Sequence, residues 1–230
     1  MIDTHETARR PAGGTHGAQV RPARRKTTKV IVSLIAGGLA GGLATGVLLA
    51  FVDRGLFGQL DAHHEVAMLV ALVYVVTGLF VAIGVARPAI GARFLNVEDA
   101  EEIAEHRRMH AYSCIGMIAI GLLLALAALA RPLAIDPAIA LAGCAALMTA
   151  FIAASWRQRR LIDELLAALS RETAALAFYL LALAGGSWSL LAVLGYAPAP
   201  IPLDWLTMIA ATLLLAAFGA SFARGMLTPR

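Results

Sequence analysis

Residues 66–86 read VAMLVALVYVVTGLFVAIGVA, 21 consecutive positions without a charged, amide or imidazole side chain. At about 1.5 Å per residue, such a run is long enough to cross roughly 30 Å of hydrocarbon. A bilayer core offers nothing to bond exposed amides, so the run must be helical, and the alternation of a transmembrane strand is missing. Five further runs share the property, at residues 30–52, 111–130, 138–155, 173–194 and 205–223. The expected fold is all-α: a polytopic integral membrane bundle of six transmembrane helices occupying residues 30–224, with a short C-terminus at 225–230.

Composition agrees. The 230 residues are 60% hydrophobic and 15% charged, with mean hydropathy +0.76, whereas a soluble domain is about 45–50% apolar and about 25% charged. The six runs use most of the chain and leave no segment long enough for a separate soluble domain. Residues 1–29, rich in Gly, Pro, Thr and Arg without apolar periodicity, read as a disordered basic tail. The tail and the run after it are both too long for a secretory signal peptide, so the first span is expected to be retained.

The net charge of +4 is a topology signal and not a nucleic-acid one, because the basic residues lie between the runs. Lys and Arg number seven in the tail, then one, four, one, four, none and two in the successive connections and C-terminus. Alternate segments therefore hold 17 and two, which places both termini and residues 87–110 and 156–172 in the cytoplasm of a bacterial inner membrane. Asp136 before Pro137 suits an N-cap and first turn for the fourth span, and Asp204 stands at the start of the sixth. Trp188, Tyr196 and Trp205 then fall at the outer interface, where amphipathic rings belong. Cys114 and Cys144 lie at different depths, which excludes a disulfide between them.

Gly38, Gly42 and Gly46 recur at four-residue spacing in the first span, a small face that admits close helix approach, with Gly185 and Gly186 of the fifth span as a candidate internal partner or a bend. In the cytoplasmic segment NVEDAEEIAEHRRMH, Asn96 is a good N-cap, and the helix is expected to run from Val97 into the third span as a stalk. Glu102, His106 and His110 share one side of it and could offer ligands to a metal, but a third or fourth ligand would have to come from elsewhere, and a solvated, internally paired surface is the preferred reading. The segment RQRRLIDELLAALSRETAAL is amphipathic. It is read either as a helix lying on the inner leaflet, with Arg157, Arg159 and Arg160 near anionic lipid headgroups, or as a docking face for the stalk. At an offset of 63, Glu101, Ile103, Ala104 and Arg108 match Glu164, Leu166, Ala167 and Arg171, compatible with a tandem repeat of hairpins.

Proton-coupled carriers and pumps place ionisable groups within their spans, and this chain has none there. No span carries an axial histidine for haem, and there is no phosphate loop, Cys-x-x-Cys or His-Glu-x-x-His. Ser187 and Ser189 in the fifth span have no acid or histidine at their depth to activate a nucleophile. The polar atoms inside the spans are those of Thr45, Tyr74, Thr77, Ser113, Thr149, Tyr179, Ser187, Thr207 and Thr212, expected to be satisfied by their own helix or a neighbour. Glu65, beside His63 and His64 at the outer mouth of the second span, reads as a first-turn acid at a helix N-terminus.

No catalytic, cofactor-binding or metal residue is assigned, and no cofactor or nucleic-acid partner is implied. The reading is a non-catalytic inner-membrane protein, an accessory or scaffold subunit contacting a partner or a second copy through residues 97–110 and 157–172. Two alternatives stand beside it. One is a small transporter or channel for a neutral or apolar solute, which requires the polar side chains to converge on one cavity. The other is a membrane enzyme with a metal site at Glu102, His106 and His110.

Overall fold

The computed structural model describes Gly46, Ala50 and residues 60–86 and 107–224. Among these residues there are five long helices and no strands: α1 (Ala62–Ala86), α2 (Arg107–Leu129), α3 (Pro137–Arg159), α4 (Glu164–Val193) and α5 (Pro202–Ala223). All five are long and apolar enough to cross a membrane. Of the first apolar run only Gly46 and Ala50 are described, and both are helical. The tail, the remaining glycines of that run, Asn96, Glu102, His106 and the C-terminal residues 225–230 lie outside the described residues.

α1, α3 and α4 each begin where the chain supplies a cap, and not where hydropathy rises. Asp61 precedes α1 and accepts the His64 amide, 3.1 Å. Asp136 precedes α3 and accepts from Ala138 N and Ile139 N, at 2.8 and 3.3 Å. Asp163 opens α4 by accepting from Leu166 N, 2.8 Å. At the other end of α4, Gly195 takes φ +80°, with Gly195 N bonding Ala192 O and Tyr196 N bonding Leu191 O. This pairing satisfies the last carbonyls through a left-handed residue that a glycine adopts without strain.

The α4 boundary corrects the reading of residues 157–172. No separate surface helix exists there: α3 continues to Arg159, the turn occupies Arg160 to Asp163, and Glu164 to Val193 is one unbroken helix. Leu165, Leu166 and Leu169, which made the segment look amphipathic, are in the first turns of a helix about 45 Å long, and Leu161 lies in the turn before it. Its start is tied to the end of α5 by a two-pronged ion pair, with Arg224 Nε and Nη2 donating to Glu172 at 3.0 and 2.6 Å. Gly185 and Gly186 both lie within α4, which runs unbroken through them.

Packing is centred on α1, α2 and α5. α1 lies along α2, α3 packs on the outside of α2, α4 packs on α5, and α5 touches both α1 and α2. α3 and α4, joined by a short turn, share at most marginal contact, whereas α1 and α2 are intimately packed. The two hairpins suggested as repeats are thus not packed alike.

The core is built from small residues. Ala67, Ala71, Ala128 and Ala210 are buried with Met68, Tyr74 and Leu124. Lipid is as apolar as leucine, so helices in a bilayer gain from close backbone approach more than from burying bulk. Gly121 shows how close: a Cβ there would stand 2.8 Å from the Ala71 carbonyl oxygen and 2.7 Å from Val75 Cγ2. Gly78 on the facing helix would meet Ile118 at 2.8 Å. Gly185 accommodates a ring of α5, with Trp205 Cζ3 2.7 Å from its would-be Cβ. Its partner among the described residues is therefore α5.

The Gly121 position sets up a direct test. Gly121→Val must push α1 off α2 because a backbone oxygen cannot yield, at an overpacking cost of about 1–3 kcal/mol. Gly186→Ala, which meets nothing within 4 Å, serves as the control. Thermal melts of the detergent-solubilised protein, read by loss of the monodisperse peak, should fall for the first and hold or rise for the second.

Candidate functional site

Sequence reasoning placed His63 and His64 beside Glu65 at one membrane face and gave them no partners. The structure pairs both. Nδ1–H of His64 donates to Asp61 Oδ1 at 2.6 Å, reinforcing the cap of α1. Nδ1–H of His63 donates to Oδ1 of Asp204, 2.7 Å away across the interface with α5. Asp204 is 7% exposed, and its second oxygen accepts from Ile201 N at 2.8 Å. An acid in the first turn reaching back to the amide ahead of the helix is the second half of a capping box. One carboxylate therefore starts α5 and fastens it to α1. The signal was present, since His63 and Asp204 each stand at the start of an apolar run on the same face, but only tertiary packing makes them neighbours.

The polar groups within the spans divide in two. Thr77, Thr149, Thr207 and Thr212 donate to carbonyls one turn back, at 2.7–2.8 Å, as expected. Ser221, beyond the original set, does the same to Ala217 O, 2.8 Å. Tyr179 and Ser187 are exposed, and Thr45 lies outside the described residues. Tyr74 and Ser113 behave differently. The Tyr74 hydroxyl crosses to α5 and donates to Ala210 O at 2.8 Å, in a buried position. Ser113 Oγ accepts from Gln158 Nε2 of α3 at 2.8 Å.

Both residues border a cleft of about 210 Å³ between α2, α3 and α5, with Tyr74 of α1 at its floor. Ser155 and Gln158 of α3 complete its polar lining, and Met117, Ile120, Phe151 and Leu213 supply apolar wall. Two of the nine expected side chains thus converge on one cavity, joined by two that lie at or beyond the edge of the fourth apolar run. On the other side of Tyr74, toward His63, the small core residues fill the space between α1, α2 and α5.

A second feature was hidden by composition. Ala138, Ala142, Ala145, Ala146, Thr149 and Ala153 are all exposed, and their spacing puts them on one stripe of α3. An alanine-rich helix reads as generic in sequence, and only the burial pattern shows which alanines are outside.

Among the described residues no group of three His, Cys, Asp or Glu side chains could hold a metal ion. His110 lies on α2, half-buried and already engaged in an interaction. Cys114 and Cys144 are free thiols on α2 and α3. The chain matches no family model, no curated protein and no solved structure.

The His63 contact is pH-sensitive with a definite sign. His63 stands in the polar first turn of α1, ahead of the apolar run at 66–86. Its hydrogen bond to Asp204 raises the imidazole pKa above 6.5, helped by the charges of Asp204 and Asp61 and opposed by desolvation. A group whose pKa is raised by folding stabilises the fold below its unfolded value and loses that effect as pH climbs through the folded one. Melting temperature should therefore decline from pH 6 to pH 8 in the wild type. The slope should flatten in His63→Gln, measured in one detergent at fixed salt.

Proposed function

We propose that this chain is a non-catalytic protein of a bacterial cytoplasmic membrane, with six spans, and that it acts as an accessory or scaffold subunit through lateral contact with a partner or a second copy. The exposed small face of α3 is the observation that carries the reading. Lipid contact favours no small residues in particular, whereas helix–helix contact in a bilayer does, because Ala and Thr let two backbones approach. α3 buries only Ala154 within the described fold, so most of its surface is free for such a neighbour. The contact surface is thereby moved from the cytoplasmic segments 97–110 and 157–172 into the membrane itself.

Orientation follows from charge. Arg107, Arg108, Arg157, Arg159, Arg160 and Arg224 all belong to the helix ends and turn opposite His63, Asp136 and Asp204. The positive-inside rule assigns the arginine end to the cytoplasm, next to anionic headgroups, with both termini on that side. Trp156 supports this placement: its ring stacks under Arg160, 5.9 Å from the guanidinium carbon, as an interfacial aromatic does.

Two experiments test the proposal. In a background lacking Cys114 and Cys144, Ser170→Cys should react with a membrane-impermeant maleimide only from the cytoplasmic side and Ala197→Cys only from the opposite one. Reaction of both from a single side would overturn the orientation. Native mass spectrometry after mild extraction should show a stoichiometric second chain, identical or foreign, that Ala146→Phe removes while leaving the melting temperature unchanged. A monomer in every extraction condition would sink the scaffold reading.

A further inference from the structure

The cleft between α2, α3 and α5 has a polar end and an apolar end, and their order along the helices is the same on both walls. On α2, Ser113 lies near the arginine end, and Met117 and Ile120 follow toward the bundle's middle. On α3, Gln158 and Ser155 lie near that end, and Phe151 is deeper. The gradient extends over seven residues of each helix, about 10 Å. At its deep end Tyr74 is already committed to Ala210 O, and Leu213 and Leu214 of α5 close the wall.

The polar end has hydrogen-bonding capacity left over. Gln158 Nε2 donates one of its two hydrogens to Ser113 Oγ, which leaves its second hydrogen, the Ser113 hydroxyl proton and Gln158 Oε1 to serve a third group. The Ser155 hydroxyl has no partner among the described residues, whereas Thr149 and Ser221, on the helices either side of the cleft, are turned back onto their own backbone. Three donors and the Gln158 Oε1 acceptor, all uncharged, therefore border the same end of the cleft. No charged side chain lines the cleft, so a ligand that brought a net charge into it would lack compensation.

We propose that this cleft binds a neutral, single-chain amphipathic lipid of the monoacylglycerol type. Its hydroxyl and ester-carbonyl head is held by Ser113, Ser155 and Gln158, and its acyl chain lies along Met117, Phe151 and Leu213. About 210 Å³ is below the roughly 300–1,000 Å³ of pockets that enclose drug-sized molecules, so the cleft takes the head and the first part of one chain and leaves the rest of the chain against the bilayer. The direction also fits, since the head sits at the arginine end and the chain points to the bilayer centre, as for a lipid resident in that leaflet. The small-residue packing beyond Tyr74 makes the site one-sided, so the ligand is held and not conducted.

The test uses the full chain in nanodiscs and a 1-monoacylglycerol carrying a diazirine in its acyl chain. Photolysis and peptide mapping should place the label on α2, α3 and α5 around Met117, Phe151 and Leu213, and excess 1-monooleoylglycerol should compete it at least fivefold better than phosphatidylglycerol. Ser155→Ala and Gln158→Leu should each cut labelling severalfold. Ala217→Trp, which fills the cleft from α5, should abolish it with the melting temperature held, so that loss of site and loss of fold are told apart. Label spread evenly over exposed positions such as Leu141, Phe178 and Leu183 would overturn the proposal. So would equal competition by phosphatidylglycerol, or labelling that survives Ala217→Trp.

Discussion

Everything in this bundle rests on how closely α1 can approach α2. The approach is set by two glycines, Gly78 and Gly121, each facing the other helix where a methyl group would collide. Because the backbones nearly touch there, Tyr74 is directed past α2 and reaches a carbonyl on α5. That bond brings the third helix onto the pair and buries Ala67, Ala71, Ala128 and Ala210 between them. In water the same result would call for large side chains. In a bilayer there is no gain from hiding leucine, and shape complementarity between small residues takes over. Among the described residues Leu124 is the one large side chain almost wholly enclosed.

The two ends of the three-helix core differ as a consequence. At one end α1 and α5 are fastened by His63 and Asp204, and small residues fill the interior. At the other, the contact between α3 and α2 is polar and lateral, Gln158 to Ser113, and α3 and α5 stand apart with the cleft between them. Among the described residues the three-helix core is thus tight at one end and open at the other. The polar atoms near the open end are those that lack an obligation to their own backbone, which is what separates Ser113, Ser155 and Gln158 from the threonines elsewhere.

What could be read from sequence was what a bilayer dictates. The runs at 66–86, 111–130, 138–155, 173–194 and 205–223 each fall within or along a helix, because desolvation of the backbone leaves a long apolar run no other choice. Helix starts were less legible, since hydrogen bonding continues past the last apolar residue for as long as a cap allows. Asp136 announced its helix through the following proline, but Asp163 was obscured by its arginines, and so α4 begins nine residues before the apolar run at 173. Residues joined only by tertiary packing were not legible at all. His63 and Asp204 are 141 positions apart, and Ser113 and Gln158 are 45 apart. Nothing local in either member names its partner.

The exposed alanines of α3 and the cleft lie on the same helix, and this links the two proposals physically. Among the described residues α3 is held to the core mainly along α2, so within the described fold it has little to resist a small displacement. A neighbour docked on its outer face would press it toward α5, and an acyl chain in the cleft would hold it away. Each ligand would then change the position of α3 that the other meets, and by linkage the coupling would be mutual: whatever occupancy of the cleft does to lateral association, association must do to the affinity of the cleft. Its sign depends on whether the outer face is better presented with the cleft filled. The stripe from Ala138 to Ala153 extends beyond the part of α3 that borders the cleft, so a filled cleft braces one end of the stripe and leaves the rest as it is. Favourable coupling is the physical expectation, because a braced helix gives up less freedom when a second surface binds it.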